Sequence, residues 1–211
     1  MARTDPFDAF PDEYDTWFDV NHHAYESEVR AVRSLLPTSG EVIEVGVGTG
    51  RFAASLGISI GVEPSAHMRW RATARGIRTI NACAEALPFD TATLDAILMV
   101  TVLCFLDDTG RAFREAYRVL RPSGCLVVGF VDRESPMGRF SEQHREASPF
   151  MRAATFSSVS KIKRHLHAAG FRQLRTVQTL FHDLDEITEV EPVIEGSGKG
   201  SFVVVRGDKP S

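Results

Sequence analysis

The chain is short of cysteine, of uninterrupted apolar sequence and of surplus charge, and each shortage excludes something. Cys83, Cys104 and Cys125 are the three cysteines among 211 residues, widely spaced and with no C-x-x-C pair. That pattern fits reduced thiols in a cytoplasmic protein and gives no footing for a disulfide framework or a zinc site. The longest apolar run, Ala96 to Leu106, is broken only by Thr101. It falls short of the about 20 residues that cross a bilayer, so it reads as a buried strand with its following loop and no membrane partner is expected. The opening Met1-Ala2-Arg3-Thr4-Asp5-Pro6 has no apolar segment of the kind a signal peptide needs. With 24 Lys and Arg against 28 Asp and Glu, the net charge is −4. Neutralising phosphates takes clustered cations, so nucleic acid is not an expected partner, and Lys161–His165 reads as a solvated helix face. No metal site is expected, and no internal repeat is found.

What the chain does have is enough apolar residue, 43%, to bury a full sheet between helices in one domain spanning 1–211. Strands are expected at 41–45, 58–62, 77–82, 94–100, 125–131, 174–181 and 201–206. Helices are expected near 11–20, at 21–36, 49–56, 65–75, 109–120 and 157–169. Residues 136–150 are polar and read as an insertion outside the core. Strands alternating with helices demand right-handed crossovers and a parallel sheet covered on both faces. The last two strands have no helix between them, so they pair antiparallel if adjacent. The fold expected is a Rossmann-like α/β fold with a seven-stranded sheet, parallel except for an antiparallel C-terminal strand.

One stretch organises the rest: Val42-Ile43-Glu44-Val45-Gly46-Val47-Gly48-Thr49-Gly50-Arg51-Phe52-Ala53. An apolar strand runs into glycines at alternate positions and then into a helix, so the backbone can take positive φ and approach a ligand closely. A dinucleotide loop would carry a third glycine where Arg51 stands. A Walker loop would need Gly-Lys-Ser/Thr, which is missing. What remains is E-x-G-x-G-x-G.

That motif resembles motif I of the class I S-adenosylmethionine-dependent methyltransferases. Gly61-Val62-Glu63-Pro64-Ser65, Ala84-Glu85-Ala86-Leu87-Pro88-Phe89 and Glu115-Ala116-Tyr117-Arg118-Val119-Leu120-Arg121-Pro122-Ser123-Gly124 follow in the family's order. The last set is similar to the small-molecule branch that includes the ubiquinone and menaquinone C-methyltransferases. Tyr14-Asp15-x-Trp17-Phe18 and Val131-Asp132-Arg133-Glu134-Ser135 resemble a small prokaryotic subgroup of that branch.

The resemblance implies methyl transfer from S-adenosylmethionine to a small organic acceptor. Ligands of such sheets sit beyond the carboxyl ends of the strands. Gly46, Gly48 and Gly50 would then meet the methionine carboxylate with backbone amides, and Glu44 would sit below them to hold the amino or sulfonium side. Glu63, seventeen residues after Gly46, would accept two hydrogen bonds from the vicinal ribose hydroxyls. Met68 would pack on the adenine or simply in the core, Ala84 and Glu85 would meet the adenine, and Met99, Val100 and Thr101 would line the pocket from the end of the fourth strand. Cys83 stands where the family commonly has Asp, so either the Ala84 backbone and Glu85 recognise the adenine or cofactor affinity is lower than usual.

Tyr14, Trp17, Phe18 and Thr101 are candidates for the acceptor side. Residues 1–38 are either a helical lid over the site or helices packed on the sheet, ahead of a core at 39–211. A sulfonium is a good leaving group, so positioning carries most of the work. Where a base is needed, His22 and His23 are the candidates nearest the aromatic segment, with His144 a third, each weighed against a plain surface histidine. Two other readings stand beside this one: an NAD-type oxidoreductase, and a non-catalytic binding module of the same fold.

Overall fold

The computed structural model describes residues 4–211; the first three residues of the stretch read for a signal peptide lie outside it. Three helices come first, α1 (Asp5–Ala9), α2 (Pro11–Val20) and α3 (His22–Leu35), and then β1 (Val42–Val45), α4 (Arg51–Leu56), β2 (Ile60–Val62), α5 (Ala66–Ala74) and β3 (Arg78–Ile80). After these come β4 (Leu94–Val100), α6 (Thr109–Val119), β5 (Leu120–Val131), α7 (Pro136–Gln143), α8 (Pro149–Ala153), α9 (Val159–Ala169), β6 (Arg172–Thr179), β7 (Ile194–Glu195) and β8 (Phe202–Asp208). No helix among the described residues is long and apolar enough to cross a membrane.

The strands form one sheet in the order β3-β2-β1-β4-β5-β8-β6-β7. The first five are mutually parallel, and β8 runs antiparallel to both β5 and β6. The expected reversed hairpin is therefore present. The strand count is eight rather than seven, because the acidic loop after β6 contributes the two-residue β7 to the far edge.

Strict alternation in the central strands sorts the core onto two faces. Ile97, Met99, Leu126, Val128, Val203 and Val205 pack under α6 and α9. Leu98, Val100, Val127, Phe202 and Val204 pack under α3 and α4. Side-chain caps start several of the helices: Ser65 accepts from Met68 N at α5, Asp108 from Arg111 N at α6, and Ser158 from Lys161 N at α9.

Three further expectations change in detail. The segment Arg121–Gly124, expected as a turn before the fifth strand, is an excursion within β5. Leu94 pairs with Leu120 and Ala96 with Cys125, so the four residues Arg121–Gly124 on β5 oppose Asp95 alone on β4. Ser123 takes φ +64, and a Cβ on Gly124 would lie 2.8 Å from the Asp95 carbonyl, so the backbones can close only over a glycine. The polar insertion holds α7 and α8, each opened by a serine cap before a proline, Ser135-Pro136 and Ser148-Pro149. Helix α1 was not expected from the sequence at all.

Candidate active site

The carboxyl ends of β1, β2 and β4 surround the glycine turn. Gly46, Gly48 and Gly50 all have positive φ, +74, +54 and +85. At Gly46 a Cβ would stand 2.4 Å from a Val102 methyl, so the turn can lie against the loop after β4 only with glycine there. The amides of Gly46 and Val47 both donate to the Val62 carbonyl, at 2.8 and 3.1 Å, which ties the turn to the tip of β2.

Glu63 continues from that tip. One carboxylate oxygen accepts from Gly48 N at 3.0 Å and the other from Ser65 N at 2.9 Å. Burial raises this carboxyl above its usual range, although both amide bonds pull the other way. Glu44 lies deeper, 2% exposed, with its Oε2 lacking any hydrogen-bond partner. Burial pushes it well up, opposed by a backbone bond from Ala53 and reinforced by the nearby Glu63. A buried acid with an open acceptor behind a glycine turn is an arrangement that a donor-rich ligand would complete.

In front of the turn is a cleft that encloses about 70 Å³ and is partly open to solvent. Small-molecule sites run from about 300 to 1,000 Å³, so a nucleoside enters only if the walls part. Gly46, Gly48, Glu63, Met68, Cys83, Ala84, Glu85, Val100 and Thr101 line one side. Thr4, Phe7 and Tyr14 from the N-terminal helices face them, with Phe105 closing the end.

The rings form a chain of edge contacts. Phe7 meets Phe105 at 4.8 Å, Tyr14 at 5.5 Å and Phe150 at 5.4 Å between centroids. Tyr14 keeps some ring edge at the surface but its hydroxyl end is enclosed. Burial, with Glu44 and Glu63 nearby, raises that phenol above its ordinary value, and a hydrogen bond with Thr101 opposes the rise. Thr101 itself sits at φ +52, a strained backbone for a β-branched residue.

A model of the methyltransferase domain matches residues 43–128. A crystal structure from Thermotoga maritima, described as a SAM-dependent methyltransferase and possible histamine N-methyltransferase, is 48% identical. It superposes with a TM-score of 0.94 over 96% of this chain and 97% of its own. The chain belongs to the S-adenosylmethionine-dependent methyltransferase family. An uncharacterized protein of Methanocaldococcus jannaschii is 39% identical over 96% of the chain and 98% of its own length. A demethylmenaquinone methyltransferase of Roseiflexus castenholzii is 32% identical over 115 residues, which is 49% of this chain and 48% of that protein. The dinucleotide-dependent alternative is set aside.

Not every residue singled out in the methyltransferase's sequence lies at the cleft. Gly50 caps α4, where a Cβ would press on Ala72 and Ile77 at 3.2–3.3 Å. Met99 is fully buried among the core residues under α6 and α9. Glu85 lines the cleft and also accepts from the Asp107 and Asp108 amides at 3.0 and 3.4 Å, anchoring the loop after β4. Trp17 and Phe18 do not line the cleft; Phe18 is buried against Tyr25 and Phe52 under the Arg51 guanidinium.

The histidines lie elsewhere. His22 is exposed and faces Glu26, His23 is exposed beside it, and His144 stacks on Phe140 at 4.1 Å. None of the three lines the cleft. Sequence reasoning missed Phe7, Phe105 and Phe150. Phe7 meets Phe105 and Phe150 across about a hundred residues or more of chain, and no local spacing announces those contacts.

Proposed function

We propose that the enzyme transfers the methyl group of S-adenosylmethionine to a small organic acceptor. In this reading Gly46 and Gly48 receive the methionine end with Glu44 beneath, Gly50 keeps the turn in shape, and Glu63 takes the ribose hydroxyls. Met68, Ala84, Glu85 and Val100 border the adenine side, and Met99 packs behind it. Of the expected lid at 1–38, helices α1 and α2 serve as the lid of a single domain, while α3 packs on the sheet with the core. Tyr14 and Thr101 face the acceptor, with Trp17 and Phe18 holding the lid helix down.

The observation that carries this is the placement of Glu63. It is a carboxylate 7% exposed, fixed by two backbone amides at the rim of the cleft, next to a glycine turn that no side chain could share. An acid held so rigidly in a fixed orientation suits a vicinal diol.

The donor supplies an activated methyl on a positively charged sulfur, and the rest of the catalysis is positioning and exclusion of water. Glu44 and Glu63 near the turn offer carboxyl oxygens to the donor's amino and hydroxyl groups. The ring chain of Phe7, Tyr14, Phe105 and Phe150 makes the far end apolar. The raised Tyr14 phenol stays protonated at neutral pH, so it can orient an acceptor atom by hydrogen bonding but does not take a proton from it.

Titration with S-adenosylhomocysteine in a calorimeter tests the donor site, and binding is expected at micromolar concentration. Labelled methyl transfer across amines, phenols, quinols and thiols tests the acceptor. No heat with the product nucleoside would overturn the residue assignments.

A further inference from the structure

Helices α1 and α2 border the cleft and are tied only lightly to the apolar core. Helix α1 has no buried residue, and α2 reaches the core through Phe18, with Tyr14 and Trp17 packed beside it. Beside these ring contacts, a row of aspartates facing α4 and α5 fastens both helices. Asp8 accepts from Ser65 Oγ at 2.6 Å. Asp12 pairs with Arg71. Asp19 takes both terminal nitrogens of Arg51, at 2.7 and 2.8 Å.

Asp15 is the centre of the row, 13% exposed, and it accepts from three segments at once. Its donors are Thr49 Oγ1 at 2.7 Å, Arg51 Nε at 3.0 Å and Arg75. Arg75 also donates to the Thr49 carbonyl at 2.8 Å, so the same node grips the glycine turn. The next residue back is Tyr14, whose hydroxyl would lie 3.4 Å from a Cβ on Gly48. Fixing Asp15 therefore fixes Tyr14 against the turn.

We propose that Asp15, clamped by Arg51 and Arg75, is the latch of a lid that lifts to admit and release the methyl donor and, when shut, sets Tyr14 over the glycine turn. This rests on reading the cleft as the donor site. Thr4, Phe7 and Tyr14 are one of its walls, so a nucleoside held between the turn and Glu63 leaves past them. Arg51 occupies the place where a dinucleotide loop would carry its third glycine. Its planar fork reaches two carboxylates together, which a lysine cannot do. Asp15 is thus a positioning residue that acts through Tyr14 and the turn.

The test is the rate at which labelled S-adenosylmethionine leaves the full-length protein in a chase, together with its rate of binding. Asp15→Asn weakens a charge-assisted acceptor shared by three segments, and is expected to speed release by about tenfold or more. Binding should quicken too, because a lid that opens more often helps both directions, and a site that was merely damaged would not bind faster. Arg51→Lys should move both rates the same way by less, and serves if Asp15→Asn does not fold. Asp12→Asn loosens an ion pair whose carboxylate is 87% exposed, and should change neither rate by more than about twofold.

Hydrogen exchange in Asp15→Asn should quicken in α1 and α2 and stay unchanged in β4 and β5. Unchanged rates in the folded variants would overturn the latch, as would faster release with slower binding or exchange that quickens equally in the sheet. Failure of the wild-type protein to hold the donor at all would instead overturn the donor-site reading beneath it.

Discussion

The acids of the core and the acids of the N-terminal helices are held in opposite ways. Glu28 on α3, Glu44 on β1 and Glu63 beyond β2 are nearly sealed from water, and burial drives all three carboxyls upward. Asp8, Asp15 and Asp19 sit at the seam between lid and core, and partner hydrogen bonds bring all three down. For Asp15 burial alone would act upward, but the bonds from Arg51, Thr49 and Arg75 outweigh it and hold the group at about 2. The first set is sealed in at the expense of its charge, with backbone amides as the partners of Glu63. The other set uses its charge to stay in place. If α1 and α2 lift as proposed, they can do so while the sheet behind them stays folded, because the charged seam and the apolar core rely on different forces.

The largest effect that would sharpen this contrast belongs to Glu28. Its carboxyl is pushed up to about 8 by desolvation, against 4.5 for a free glutamate. The folded state therefore binds this proton more tightly than the unfolded chain, and stability falls as pH rises from about 4.5 to about 8. The full shift of 8 − 4.5 = 3.5 units corresponds to about 5 kcal/mol at most. Urea denaturation across that range should show the decline in the wild type and a flatter profile in Glu28→Gln. Parallel profiles would break the contrast on the core side.

Next comes Glu63→Ala, which removes the acceptor of two backbone amides and the proposed diol contact together. A loss of about 3 kcal/mol, roughly a hundredfold in affinity for S-adenosylhomocysteine, is expected by calorimetry. Affinity equal to the wild type would move the ribose elsewhere.

A smaller effect is expected on the lid side, and with the opposite sign. A carboxyl lowered to about 2 contributes stability above the unfolded value near 3.8 and loses it only as pH falls through about 2. Donor release should thus be insensitive to Asp15 titration between about pH 5 and 8, the window where Glu28 acts. The smallest effect is that of His22→Ala and His23→Ala. Both side chains are exposed and away from the cleft, so binding and turnover should stay within about twofold. A large loss in turnover would bring those histidines back as bases.

Much of the fold was legible in the sequence because the signals are local. Apolar strands at Val42–Val45 and Leu94–Val100, glycines stopping helices at Gly76 and Gly170, and helix caps at Ser65 and near Ser158 all act within a few residues. The missed features are those whose cause is distant. The β5 excursion depends on Gly124 meeting the Asp95 carbonyl, and α1 is five residues held by rings on other elements. The pairs Ser135-Pro136 and Ser148-Pro149 were local signals for α7 and α8, outweighed by the polarity of that stretch. At the site, the turn, Glu63, Met68 and Ala84 were readable from motif order. The role of Arg51 was readable only as an absence of glycine, because its partners Asp15 and Asp19 lie more than thirty residues upstream.

Thr101 holds its left-handed backbone at a cost of about 1–2 kcal/mol that glycine would not incur. A library screened only for survival on heating should therefore enrich glycine at this position, and the same clones would lose the hydroxyl on which Tyr14 leans. Heat tolerance and the hold on Tyr14 would then part at a single codon.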